Sequence, residues 1–203
     1  MFKRVASEAL GLSDIGKIIG PEDYDKVEAD DYVMHEEEEK IYFLIKSKQD
    51  EYCFTNEALI HVDGTTALSK KRMLRRKSYY NNVISEVFLE TAGTIDMDVE
   101  IKFRMGDESY SIDVDKNQIE QLKDLYKALL KIASIQSENS QLLSYAYKSL
   151  DTAASAIARG HDSTVPEAQF KTVNEYSFAW MKRSYASYVR KDFGDVFAKF
   201  INN

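Results

Sequence analysis

The chain of 203 residues predicts an α+β fold, a seven-stranded antiparallel barrel closed by one helix and followed by a C-terminal helical hairpin or extension. Three observations predict it. Apolar and charged residues alternate with a period of two from Ile95 to Val114. Short strand-like runs succeed one another from Ile41 with no helical pattern between them, which excludes a βαβ arrangement. The period then switches once, at Asp115, to that of an amphipathic helix.

The elements follow in order. Phe2, Val5, Ala6, Ala9 and Leu10 stand at helical spacing, and Gly11 stops that short helix. It is too short to persist alone, so it must dock on something: its own protein or a neighbouring subunit, with a membrane surface less favoured by its mixed charge and small apolar face. From Pro21 to Lys40 the chain is acidic and closes with Glu36-Glu37-Glu38-Glu39, which reads as a solvated surface. Ile41 to Ile45 is rich in β-formers and dense enough for a strand covered on both faces. Tyr52 to Thr55 and Ala58 to Val62, joined by Asn56-Glu57 and ended by Asp63-Gly64, make a hairpin and a turn.

Lys70 to Tyr80 is a long basic strand, Asn81-Asn82 a turn, and Ser85 to Thr91 the next strand. Ile95, Met97, Val99, Ile101, Phe103 and Met105 then alternate with charged residues, Gly106-Asp107 turns the chain, and Tyr110, Ile112 and Val114 resume the pattern. Asp115 can cap a helix running to about Ile135, with Ile119, Leu122, Leu125, Tyr126, Leu129 and Leu130 on its apolar face. From about Ser137 a separate helical stripe through Leu142, Ala146, Leu150 and Ile157 ends at Gly160. Thr164-Val165-Pro166-Glu167 has the form of a capping box with an early proline and starts a further helix. A last helical spacing joins Val189, Phe193, Val196, Phe197 and Phe200. The expected organisation is a lead-in over 1–38, a barrel over 39–135 and a helical extension over 136–203.

A net charge of −7 disfavours a nucleic-acid binder spread over the whole surface. The single cysteine, Cys53, cannot form an internal disulfide and suits a reducing compartment. The opening residues carry no convincing signal peptide, and no stretch approaches the roughly 18 apolar residues of a spanning helix. Cytoplasm is the expected location.

Phe54-Thr55-Asn56-Glu57-Ala58-Leu59-Ile60 resembles the FTN-x-x-LI segment of bacterial pleckstrin-homology (PH) domains. Tyr80-Asn81-Asn82-Val83-Ile84 is similar to that family's Y-x-x-I turn, and Phe88 to Gly93 with Asp96 and Asp98 to its ETAG-x-x-D segment. The usual proline before the tyrosine of the turn is Tyr79 here, which bears on local turn rigidity. The chain beyond the barrel resembles the YvbH-like helical extension. This resemblance implies a PH-like barrel, oligomerisation through the extension and ring-like assembly through the barrel, and it implies no defined biochemical activity.

The sharpest chemical feature is the basic run Lys70, Lys71, Arg72, Arg75, Arg76 and Lys77. On a strand it places cations on both faces, so full burial is excluded unless they are paired. It suits phosphate groups of a lipid head or another anion, the acidic 22–39 region of a second subunit, or plain protection of a sheet edge. Nucleic acid is not expected, and membrane contact is not favoured, because the rest of the surface is acidic. His61 and Asp63 share one strand face, and Asp96, Asp98 and Glu100 another, but alternating acids on a half-buried strand are ordinarily its wet face rather than a metal site. Cys53 between Tyr52 and Phe54 reads as a packed thiol. His35 and His161 stand apart from any nucleophile, and no P-loop, GxGxxG, GxSxG or HExxH pattern occurs. The chain therefore reads as non-catalytic and free of cofactors. Its last seventy residues hold more aromatic surface than two or three helices can bury, and Phe170, Trp180, Tyr185, Tyr188 and Phe193 are the candidate interface of a homo-oligomer or of an unidentified protein partner.

Overall fold

The computed structural model describes residues 14–64, 72–91, 98–160 and 167–201. The first helix read at Phe2 to Leu10 and the residues Thr164 to Pro166 lie outside the described residues. The chain divides into two compact units, one of residues up to Ala133 together with those from Lys191, the other Ser134–Arg190.

The first unit holds two antiparallel sheets. β1 (Lys17–Ile18), β2 (Ile41–Lys46), β3 (Glu51–Thr55), β4 (Ala58–Asp63) and β5 (Met73–Ser78) pair in that order. β6 (Ile84–Glu90), β7 (Asp98–Met105) and β8 (Glu108–Asp115) form the second sheet. Seven of these strands, β2 to β8, fall where the period-two pattern places them. Gly16 joins the sheets at one edge: its N–H donates to the Asp113 carbonyl and its own carbonyl accepts from the Asp115 N–H, both at 2.9 Å.

The β7–β8 hairpin forms because only one of its faces is apolar. Val99, Ile101, Phe103, Met105, Tyr110, Ile112 and Val114 are all buried, and Gly106 adopts φ +64°, a turn conformation glycine enters without steric cost. Phe103 meets Phe54 of the other sheet at a ring separation of 6.1 Å and stacks on Tyr110 at 4.9 Å. In β6 the register slips between Ser85 and Phe88, with Glu86 at φ +51°. This bulge keeps Ile84 and Val87 inside and turns Phe88 to solvent.

The acidic lead-in is not wholly a solvated surface. Its 3-10 turns over Pro21–Lys26, Glu28–Tyr32 and His35–Glu37 bury Val27, Ala29 and Val33 against Leu44, Cys53, Ile60 and Val62. The strands β2 to β4 are therefore covered on both faces, which is why their central residues are apolar on either side, with Lys46, Glu51, Thr55, His61 and Asp63 near their ends.

Asp115 accepts a hydrogen bond from the Asn117 N–H at 2.9 Å and opens a 3-10 turn that leads into α1 (Ile119–Gly160). Gln118 pins this entry to β1, accepting from the Ile18 N–H at 2.8 Å and donating to its carbonyl at 3.0 Å. Leu122, Leu125, Ala128, Leu129 and Ile132 are the buried face, whereas Leu130 is exposed. The helix does not end near Ile135 but runs for 42 residues. Gln136 to Gln141 break the apolar pattern without breaking the helix, since they contain neither glycine nor proline. α2 (Glu167–Tyr188) and α3 (Gly194–Phe200) complete the described helices.

Candidate functional site

The described part of the basic run is Arg72 and β5, and its cations are met within the chain. Arg72 lies 3.0 Å from Glu28, and Arg76 3.0 Å from Glu39. Arg75 lies 3.2 Å from Asp63 and 3.7 Å from Glu108, and Lys77 2.7 Å from Asp107 and 3.3 Å from Glu108. Lys70 and Lys71 lie outside the described residues. Alternation explains the division. Arg75 and Lys77 share a face and reach across to the β7–β8 turn, whereas Arg76 faces the acidic lead-in. Within the single chain this strand meets the acidic segment through Arg72 with Glu28 and Arg76 with Glu39.

Glu39, the last residue of the glutamate run, is only 1 % exposed. It accepts from the Thr55 hydroxyl and from the Met34 N–H, the latter at 2.8 Å, besides pairing with Arg76. Glu51 is buried likewise, pairs with Lys46 and accepts from the Ala29 N–H at 2.7 Å. These carboxylates clip the lead-in to the sheet. Between them Cys53 is fully buried, and desolvation, reinforced by the carboxylates of Glu39 and Glu51, pushes its thiol well up. Such a thiol resists becoming a nucleophile. His61 stacks on Tyr52 at 4.3 Å, and its Nε2 lies 3.3 Å from Asp50. Among the described residues no three His, Cys, Asp or Glu side chains gather as metal ligands; Asp96 and His161 lie outside them. A cavity of about 90 Å³ touches Tyr24, Tyr42, Phe43 and Ile201, well below the several hundred Å³ typical of small-molecule sites.

The candidate interface residues separate. Phe193 is 1 % exposed and belongs to the core of the first unit, edge-on to Tyr79 at 5.7 Å, so it offers no external surface. Its neighbours Val196, Phe197 and Ile201 are buried with it, and Phe197 stacks on Tyr42 at 5.6 Å. Residues 191–201, which in sequence belong to the expected extension over 136–203, therefore pack with the strands of the first unit. The side chain of Phe170 lies outside the described residues.

In the second unit Trp180 donates its indole N–H to the Ala146 carbonyl at 3.1 Å. Both residues stand at similar chain distances from the connection between α1 and α2, as in an antiparallel helical hairpin. Ser177, Trp180, Ser184 and Tyr188 make the less exposed side of α2, and Tyr185 is exposed. The large outward side chains are others: Phe178 at 64 %, Tyr145 at 63 %, Tyr176 at 58 % and Met181 at 39 % exposure. The general preference of interface cores for Tyr and Trp favours the tryptophan. A helical-wheel comparison of Phe178, Met181 and Tyr185 with Trp180 separates the two faces.

No helix among the described residues is long and apolar enough to cross a membrane. Residues 9–133 match the family model described as bacterial PH domain, and residues 144–203 that of the YvbH-like oligomerisation region. The chain is 59 % identical to "Uncharacterized protein YvbH" of Bacillus subtilis (strain 168), with both chains covered in full. It also resembles the crystal structure of a PH domain-containing bacterial protein from Exiguobacterium sibiricum 255-15. There the identity is 51 % and the TM-score 0.86, with 93 % of this chain and all of that one covered.

Proposed function

We propose that this chain, which belongs to the bacterial PH domain family and carries a YvbH-like oligomerisation region, is a non-catalytic cytoplasmic scaffold that assembles with copies of itself. The observation that carries the reading is the outward apolar surface of the helical unit, where Tyr145, Tyr176, Phe178 and Met181 stand in water in the single chain. Aromatic side chains of this kind anchor interface cores, and covering them supplies the driving force for association. The exposed Met73 and Leu74 on β5, with Val83 and Phe88 at β6, support a contribution from the barrel surface, since these strands end their sheets.

Two further features support a scaffold. The cysteine is buried with its thiol pushed up, and the buried carboxylates Glu39 and Glu51 are engaged in fastening the lead-in. An anionic-ligand or lipid binder working through residues 70–77 draws less support, because Arg72, Arg75, Arg76 and Lys77 each face a carboxylate of their own chain.

Light scattering on the intact protein tests the reading. The expected result is a particle of at least two chains at tens of micromolar, a concentration that saturates an association of about 1 μM Kd. A monomer under those conditions would end the scaffold reading.

A further inference from the structure

The outward stripe of α2 carries a pattern that specifies what covers it. Asn174, Phe178, Met181 and Tyr185 follow one another at spacings of four, three and four, the seam of a helix that packs along a second helix. Phe178, Met181 and Tyr185 are exposed in the single chain. Glu175 and Lys182 flank this seam on one side, seven residues apart, and both are exposed. Within its own helix Glu175 has a loose contact with Lys171 at 3.9 Å.

We infer that α2 pairs with α2 of a second copy, antiparallel and about a two-fold axis, through Phe178 and Met181. The orientation follows from charge. In an antiparallel pair the same flank of each helix meets its own counterpart, so Glu175 of each chain faces Lys182 of the other, twice over. The seam then sets Phe178 against Met181 of the second copy and Tyr185 against Asn174, in the same register. In a parallel pair that flank would meet the opposite one, which offers Phe170, Ser177 and Ser184 and no complementary charge. One surface thus satisfies itself, as a two-fold interface requires. The inference rests on the self-assembly reading and adds the contacting helix, its direction and its register.

Charge exchange tests it on the full chain. Glu175→Lys alone turns both attractive contacts into repulsive ones, and so does Lys182→Glu alone. Each single variant is expected to raise the dissociation constant of this contact about tenfold. Mixing the two variant proteins restores association, because one then supplies two lysines and the other two glutamates. Phe178→Asp, at an exposed position that leaves folding intact by far-UV circular dichroism, at least halves the particle mass. An oligomer whose mass ignores Phe178→Asp overturns this surface while leaving self-assembly standing. Failure of the mixture to associate better than either single variant overturns the antiparallel register. A wild-type protein that is monomeric removes the self-assembly reading and this inference with it.

Discussion

The side-chain amide of Asn56 donates to the carboxylate of Asp192 at 2.8 Å, joining residues 136 positions apart in the chain. Beside it the Phe193 N–H donates to the Asn56 carbonyl at 2.7 Å. The turn between β3 and β4 is thus the seat of the segment that carries α3.

This seat makes Phe193 a core residue of the first unit. Phe193→Ala is expected to lower stability by about 3–5 kcal/mol, the range for a fully enclosed phenylalanine. Asn56→Ala keeps the backbone contact but removes the hydrogen bond to the Asp192 carboxylate and the acceptor of the Lys40 N–H, so it should cost about 2–4 kcal/mol. Denaturant midpoints at unchanged slope measure both. Equal, negligible losses would mean that the segment does not contribute to the core.

Glu39 and Arg76 provide a second test. Glu39→Ala strips the partner from the half-buried guanidinium of Arg76, and also from the Thr55 hydroxyl and the Met34 N–H. A loss of about 3 kcal/mol is expected, moderated by the partial exposure of Arg76. Adding Arg76→Leu should recover part of it, since the orphaned charge is then gone. A double-mutant cycle reads the coupling, and strict additivity of the two changes would contradict the pairing.

The β5 ion pairs also fix an expectation for membranes. Vesicles with and without anionic lipid should pellet the protein equally little at physiological salt. Arg76→Glu should lower thermal stability rather than change any lipid dependence. Pelleting that appears only with anionic lipid would revive the anionic-ligand reading of residues 70–77.

Four largely buried phenols give a pH dependence at the alkaline end. Burial comes first among the causes that raise all four: Tyr24 to about 12, Tyr52 and Tyr110 further still, and Tyr79 well above its ordinary value. Each holds its proton more tightly folded than unfolded. Their contribution to stability is complete below the ordinary value of 10.0 and is lost as pH rises through and beyond 12. Absorbance at 295 nm should show these tyrosines ionising together with loss of far-UV signal, above the exposed ones. Their titration near 10 in an intact fold would contradict the burial.

The strands were legible because their physics is local. From Val99 to Val114 a period of two and one glycine turn suffice to say which side chains enter the core, and Ile101 and Phe103 are there. The burial of Glu39 was not legible, because its partner Arg76 is 37 residues away and a glutamate run looks alike whether solvated or paired. The single helix α1 escaped notice for a different reason. Apolar periodicity reports what a helix packs against, and Gln136 to Gln141 offer no apolar side chain while containing neither glycine nor proline to stop the helix. Phe193 and Phe197 announced a helix by their spacing, but spacing says nothing of its docking site. Trp180 stands among the candidates because tryptophan suits interface cores, although its indole N–H donates to the Ala146 carbonyl and the outward stripe belongs to Phe178 and Met181.

The return of residues 191–201 to the strands has a consequence for how the protein is made. During translation every strand of the first unit emerges before Phe193 and Phe197, the residues that complete its aromatic core with Tyr79 and Tyr42. While the ribosome adds the helical residues in between, that core waits with its seat at Asn56 unfilled. The nascent barrel is therefore expected to be more protease-sensitive than the released protein, and to gain its full resistance once Ile201 has cleared the exit tunnel.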